Sequence, residues 1–374
     1  MNLTWIEISK SALIHNLQTF RKQVGPNVVL APAVKANAYG HGLVECGTIM
    51  AEHGADYLCV NALYEAEALR KAGIKIPILL IGHTPLSGLE AIPRLNLETI
   101  VYNPETIEIL GRLGQPMGIH LKIETGNHRQ GIRPEDLPTF VEIVKRFPNL
   151  TVKGMSTHFA NLEDRLNQQY ARHQLKEFKK AIDILASLGI KPQYRHCSAT
   201  AGIIALPEAH FNFVRLGIGA YGLWPSPKTQ LAAERLGLKM ELKPVLTWKT
   251  IVAQVKPVKK GDFVGYGCSH EMKQDGKIAV LPIGYYDGFV RALGNKGVVL
   301  IRGQRAPVIG RICMNMLMVD VSGIPDVKLE DEAVLIGKQG GQEVSAEAMA
   351  ELSGTINYEV TTRIGERIPR ILAP

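Results

Sequence analysis

The chain has 374 residues, 46% of them hydrophobic and 21% charged, with a formal net charge of +8; this is length enough for two domains and a composition that excludes a disordered or collagen-like chain. The basic surplus is scattered, and its densest run, "VKPVKKGD" around Lys259, reads as a solvated turn, so no nucleic-acid partner is expected. Five cysteines (Cys46, Cys59, Cys197, Cys268 and Cys313), odd in number and without a CxxC pair, argue against a disulfide framework or a zinc site.

In chain order, "MNLTWIEISKSALIHNL" lacks the charged and apolar regions of a secretory signal, and no apolar run is long enough to suggest a membrane span. A cytoplasmic location and no membrane partner are therefore expected. "NVVLAPAVK" reads as a buried strand that leaves the core at Lys35, ahead of the glycine-rich turn "ANAYGHG". Taken alone, Lys35 fits a lysine snorkelling from a strand end as well as a functional amine. From residue 27 to about 220, short apolar runs alternate with amphipathic stretches, the pattern of repeated βα units. The strand candidates are "VVLAPAVK", "YLCVN", "ILLIG", "TIVY", "IHLKIET", "VKGMSTH", "YRHCS" and "FVRLGIG". Between them lie helical patterns such as "LYEAEALRKAG", "PETIEILGRLG", "LPTFVEIVKRF" and a long one starting at Arg165. Eight such strands predict an α/β fold, a (β/α)8 TIM-type barrel over residues 1–238, with residues 1–9 open to joining the next domain. Pro225 and Pro227 are expected to stop regular structure. After Lys239 the texture becomes β-branched and Gly-, Pro- and Asp-punctuated, with one clear helix, "SAEAMAEL", so a mostly-β domain is expected over residues 239–374.

Barrel active sites lie at the C-terminal ends of the strands. Those ends here carry Lys35, Lys122, Glu124, His158, His196, Ser198 and Arg215: an amine, a base, a hydroxyl and a guanidinium at one mouth. The last strand runs into "GIGAYG". A dinucleotide-binding loop would stand in a first βα turn with an acidic residue to follow. After strand eight, the N–H groups of Gly217 and Ile218 read better as a phosphate cradle. A phosphate site and a strand-end lysine together suggest pyridoxal phosphate held as a Schiff base. His196, Cys197 and Ser198 form no nucleophile elbow, so a hydrolase is not indicated. Each residue also has a structural reading: His158 as a core histidine, Ser198 as a helix cap, Lys122 paired with Glu124, and Tyr266 and Tyr285 as ordinary aromatics of the β domain.

"AVKANAYGHG" resembles the cofactor-lysine signature of the alanine racemases, pyridoxal-phosphate enzymes built on a barrel plus a β domain. The resemblance continues in order through "HLKIETGNHRQG", "STHFA", "VRLGIGAYGLWPS", "VGYG", "IGYYDG", "GRICM" and "INYEV…RIGERIPR". It implies that Lys35 carries the cofactor and is one of two catalytic bases, with Tyr266, supplied by the partner of a homodimer, as the other. It also implies that Tyr39, Ser198, Gly217, Ile218 and Tyr358 bind the phosphate, that His158 lies beside the cofactor ring, and that Arg215 faces the ring nitrogen. Arg129 would help place the substrate carboxylate. Tyr285 and the Met314 N–H would come from the partner subunit, and Lys122 matches a lysine often carbamylated in the family. No metal is implied. The expected activity is interconversion of L- and D-alanine by two-base proton transfer on the Schiff base of the amino acid with the cofactor, supplying D-alanine for peptidoglycan. Asn127, Gln130, Asn315 and Thr362 depart from the family pattern, which leaves serine or a broader substrate range open. A fold-related decarboxylase would call for an acidic residue at the ring nitrogen, and a non-catalytic cofactor-binding barrel would lack the β domain.

Overall fold

The computed structural model describes residues 2–164 and 166–374. They form two compact units, one made of Leu13–Ala38 and Cys46–Lys243, the other of the chain up to Ala12, Tyr39–Glu45 and Pro244–Pro374.

Strand β1 (Thr4–Ser9) belongs to the second of these. Eight parallel strands then build the first unit: β2 (Val29–Leu30), β3 (Leu58–Val60), β4 (Ile78–Leu80), β5 (Leu97–Val101), β6 (Met117–Lys122), β7 (Leu150–Ser156), β8 (Tyr194–His196) and β9 (Phe213–Val214). Strands β3 to β8 pair in chain order, and β2 pairs β9 with Leu30 opposite Val214. Two seams close the ring. Val34 N donates to Cys59 O (2.9 Å) and Cys59 N to Pro32 O (2.8 Å), while Arg215 N donates to Ser198 O (3.0 Å). The result is the (β/α)8 barrel, whose strands are near-continuous apolar runs because both faces are covered.

The expected strand "VVLAPAVK" shortens to Val29–Leu30 plus a bridge from Ala33 to Cys59; Pro32 has no N–H to donate to a ladder. Three of the outer helices, Leu63–Lys71, Pro104–Arg112 and Leu137–Lys145, fall where the periodicity puts them. The long one starts at Gln169, with Asn167 Oδ1 accepting from Gln169 N (2.9 Å); Arg165 lies outside the described residues. The expectation for Pro225 and Pro227 is corrected: Pro227 opens a helix, Pro227–Arg235, with Ser226 as N-cap accepting from Thr229 N. Proline suits a first helical position, where its missing N–H would have had no partner.

The second unit is a sheet of β1, β10 (Leu246–Ile251), β11 (Gln254–Val258), β12 (Gly276–Leu281), β13 (Val298–Ile301), β14 (Gln304–Ile309), β15 (Leu317–Asp320), β16 (Glu332–Gln339), β17 (Gln342–Val344) and β18 (Arg370–Ala373). The strands run in the order β11-β12-β15-β14-β13-β16-β10-β1-β18, with β17 on β16. Strict alternation in β10 buries Leu246, Trp248 and Thr250 on one face, as expected for a sheet with one covered side. Among the described residues, two α-helices lie within Pro244–Pro374, Ala346–Ser353 and the six-residue Asn357–Thr362, where the sequence suggested one.

Candidate active site

Lys35 leaves the barrel on an unusual local structure. Ala36, Asn37, Ala38 and Tyr39 all have φ between 52° and 55°, a left-handed turn that L residues rarely enter in succession. Buried Glu65 braces its start: Oε1 accepts from Ala36 N (2.6 Å), and Oε2 from Asn61 N (2.7 Å) and Ala62 N (3.1 Å). Gly40 follows at φ 87°, where a Cβ would lie 2.0 Å from Thr361 O.

In the barrel unit, Lys35, Lys122, Arg129 and Arg215 line one cavity of about 90 Å³, together with Gln130, Ser156, His158 and His196. Four basic side chains and, among the described residues, no carboxylate line this wall. Burial, then Arg129, lowers the Lys35 pKa, with Glu65 pulling the other way. Burial followed by Arg215 and Arg129 takes Lys122 well below the usual lysine range. His158 is likewise pushed well below the imidazole range by burial and the surrounding cations, so it is neutral. Arg215 is fixed by its neighbours: NH1 donates to His196 Nδ1 (2.6 Å) and His196 O (3.0 Å), and NH2 to Thr157 O (2.8 Å), with His158 Nδ1 at 3.4 Å.

Glu124 pulls the Lys122 pKa upward, against the burial and the cations, without a close ion pair between them among the described residues. Burial raises the Glu124 pKa, but backbone N–H groups led by Gly126 outweigh that and hold it low, so the carboxylate shapes the "TGNHRQ" loop carrying Arg129. Gln130 Nε2 in that loop donates to Tyr102 OH (3.0 Å). Asn127 lines a neighbouring cavity of about 220 Å³, which shares Arg129 and His158 with the first and adds Glu163 and Asp164.

The glycine loop after β9 carries a detail the motif does not reveal. Thr200 Oγ1 accepts from Gly217 N (3.0 Å) and Gly219 N (3.3 Å), and Ser198 Oγ donates to Ala209 O (2.9 Å). Thr200 was not singled out by sequence; its place two residues beyond Ser198, at the start of helix Thr200–Ala205, is the available signal. Ile218 is fully buried in the turn that follows.

The remaining sequence-derived positions lie in the β unit. The rings of Tyr39 and Tyr358 stand 6.0 Å apart, and Thr362 Oγ1 donates back to Tyr358 O (2.7 Å). Tyr266 is 72% exposed, between Gly265 (φ 76°) and Gly267 (φ 72°), and a Cβ on Gly267 would meet the Arg311 guanidinium at 2.7 Å. Tyr285 and Met314 are 43% and 56% exposed. Their loops are joined by Tyr285 N donating to Cys313 O (3.1 Å) and Tyr286 N to Met314 O (3.0 Å). Asn315 is exposed on the same loop.

Comparison with known proteins accounts for both units. Residues 8–225 match the family described as "Alanine racemase, N-terminal domain" and residues 245–372 "Alanine racemase, C-terminal domain". A relative named alanine racemase from Leptospira interrogans is 38% identical over 372 residues, covering 99% of this chain and 95% of that protein. The solved structure of an alanine racemase from Bacillus anthracis superposes with a TM-score of 0.93 at 34% identity, covering 100% of this chain and 96% of the other. A histidine racemase from Leuconostoc mesenteroides shares the fold, with a TM-score of 0.89 at 28% identity and coverage of 100% and 98%. With both halves matched, and the lysine, arginine and histidine of the signature motifs set around one cavity, the chain belongs to the alanine racemase family.

Proposed function

We propose that this chain interconverts L- and D-alanine using pyridoxal phosphate, as a homodimer in which each subunit supplies residues to the other's site. The observation that carries this reading is the cationic cavity shared by Lys35, His158 and Arg215, in a chain whose full-length relatives bear the name alanine racemase. The residues present fit that cofactor. The guanidinium groups of Arg129 and Arg215 suit an anionic cofactor and a substrate carboxylate, and Ser156 Oγ, buried in the cavity wall, has no hydrogen-bond partner in the protein. Bound there, pyridoxal phosphate supplies an electron sink that acidifies the Cα proton of an amino acid attached to it.

The chain's own residues then divide the work. Lys35 Nζ holds or returns the Cα proton on one face, and Tyr266 Oη, reaching from the other subunit, does so on the opposite face; two bases on opposite faces invert the centre directly. The depressed pKa of Lys35 increases the share of neutral amine able to act as a base. Arg215, assigned to the ring nitrogen, donates a hydrogen bond without surrendering its proton, which limits delocalisation into the ring and disfavours transamination. Tyr39, Ser198, Gly217, Ile218 and Tyr358 are assigned to the phosphate. Ser198 would turn its hydroxyl from Ala209 O, and Gly217 N–H would be released by Thr200. Arg129 and the Met314 N–H hold the substrate carboxylate, and Tyr285 narrows the entrance. Lys122, whose pKa burial and then Arg215 and Arg129 take well below the lysine range, has a larger share of free amine to add CO2 with loss of a proton; the resulting carbamate would place an anion beside Arg129 and Arg215.

Asn127 and Gln130 flank Arg129 with polar groups, which favours a second reading, a substrate range extending to serine or larger polar amino acids. One experiment addresses both. The purified protein is loaded with pyridoxal phosphate and tested on a panel of L-amino acids for deuterium uptake at Cα and for product chirality, with rescue of a D-alanine auxotroph reporting on peptidoglycan supply. Alanine is expected to exchange and invert. Lys35→Ala should abolish this, whereas Tyr266→Phe should lose racemisation yet keep the visible absorption of bound cofactor. Full activity in either variant contradicts the two-base assignment.

A further inference from the structure

The barrel core is not apolar throughout. A string of polar side chains runs through it from β5 to the mouth. Arg215 NH1 donates to His196 Nδ1 at 2.6 Å, His196 Nε2 lies 2.8 Å from His120 Nδ1, and His120 Nε2 lies 2.8 Å from Glu98 Oε2. Both imidazoles are fully buried. The two ends of the string fix every proton in it. A guanidinium only donates and an ionised carboxylate only accepts. His196 Nδ1 must therefore accept, so its proton is on Nε2. His120 Nδ1 must accept that one, so its own proton is on Nε2 and points at Glu98. One assignment satisfies all four groups, and its direction runs from Arg215 to Glu98.

The surroundings are built to keep it. Lys153 bonds Glu98 Oε1, and Tyr57 OH donates to the same carboxylate (3.2 Å). Tyr194 stacks against His120 with an interplanar angle of 14°, and Phe213 packs on His196 at 4.6 Å. Gly154, which registers with His120 across β6 and β7, leaves the space for the ring: a Cβ there would lie 2.1 Å from His120 Nδ1. Burial, then Arg215, pushes the His196 pKa well below the imidazole range, with His120 and Lys122 adding to it. Burial lowers that of His120 against the opposing pull of Glu98, with Lys153 and Arg215 siding with burial.

We infer that Glu98 and His120, deep in the barrel, are positioning residues for Arg215: through His196 they fix the direction in which its guanidinium donates, and so the edge it turns to the cavity containing Lys35. This rests on the reading of Arg215 as the group at the ring nitrogen.

The test uses the full-length, cofactor-loaded protein with 15N-labelled histidine, its resonances assigned with His120→Gln and His196→Asn. Both rings are expected as the neutral Nε2–H form throughout pH 6–9. An Nδ1–H tautomer or an imidazolium at either position overturns the inference. A charge-balanced variant, Glu98→Leu with Lys153→Met, removes the acceptor of the His120 Nε2–H and leaves that ring unanchored at its far end; it should lower kcat about tenfold with KM little changed. Cofactor absorption should be retained. Gly154→Ala should reproduce the kcat loss from a different strand. Unchanged kcat in both variants also overturns it. If the unmutated chain racemises nothing, the functional reading fails, and the tautomers alone then decide whether the string is wired as inferred.

Discussion

His196 stands between a guanidinium and a second imidazole, with no water-facing surface, and this sets how the protein responds to acid. Its folded pKa lies well below the ordinary imidazole value, which is about 6.5. Between those two values the unfolded chain binds a proton that the folded chain refuses, so stability falls as pH drops below about 6.5. A single such group contributes up to about 1.4 kcal/mol per pH unit within that window. Urea unfolding from pH 7.5 to 5 should show this loss, and His196→Asn, which keeps an acceptor for Arg215 but cannot titrate, should make it shallower by one proton's share, the rest coming from His158 and His120. An identical slope in the variant would contradict the assignment. At this scale the sequence exposes Lys35, His158 and Arg215 because each ends a strand and a strand end in a barrel faces the mouth. Glu98 and His120 are hidden in it: both sit inside apolar strands, and their partners lie 22 and 76 residues away in sequence.

Two short elements decide how the lysine is presented. The left-handed turn from Ala36 to Tyr39 has no helical propensity to maintain it, and non-glycine residues at positive φ cost on the order of 1 kcal/mol each. Glu65 offsets this by accepting three backbone N–H groups, two of them at the start of helix Leu63–Lys71, where it reaches back from the third helical position to the N-cap N–H of Ala62. Glu65→Ala is expected to destabilise the protein by about 2–4 kcal/mol, because buried donors lose their acceptor; denaturant unfolding measures it, and a loss under about 0.5 kcal/mol would remove Glu65 as the brace. "ANAYGHG" reads as a turn from its glycines, yet its hand is invisible in the letters, since alanine gives no sign of positive φ. The proline-rich "WPSP" likewise reads as a breaker, although the Ser–Pro order that caps and opens a helix was already in the sequence.

Over the whole molecule, the exposed side chains of the β unit favour a partner. Tyr266, Tyr285, Tyr286, Met314 and Met316 are all exposed and are borne on loops that hydrogen-bond or pack against one another. Aromatic and methionine side chains are enriched at interface cores. Light scattering at micromolar concentration should give twice the mass of one chain; a monomer that nevertheless racemises would refute a shared site. No helix among the described residues is long and apolar enough to cross a membrane.

The alternation of apolar runs and amphipathic stretches by itself determined the eight-stranded barrel and the β-rich second half, because an apolar run, a period of 2 and a period of 3.6 are all local and each strand or helix writes its own. The glycine loop and the strand-end lysine were legible for the same reason. Tertiary structure decided that Tyr39–Glu45 packs with the β unit, that Thr200 holds the N–H of Gly217, and that Arg215 is tied to Glu98 through two imidazoles. Each of these depends on strand register and on which buried donor meets which acceptor, and residues distant in sequence meet only after the ring of strands has closed.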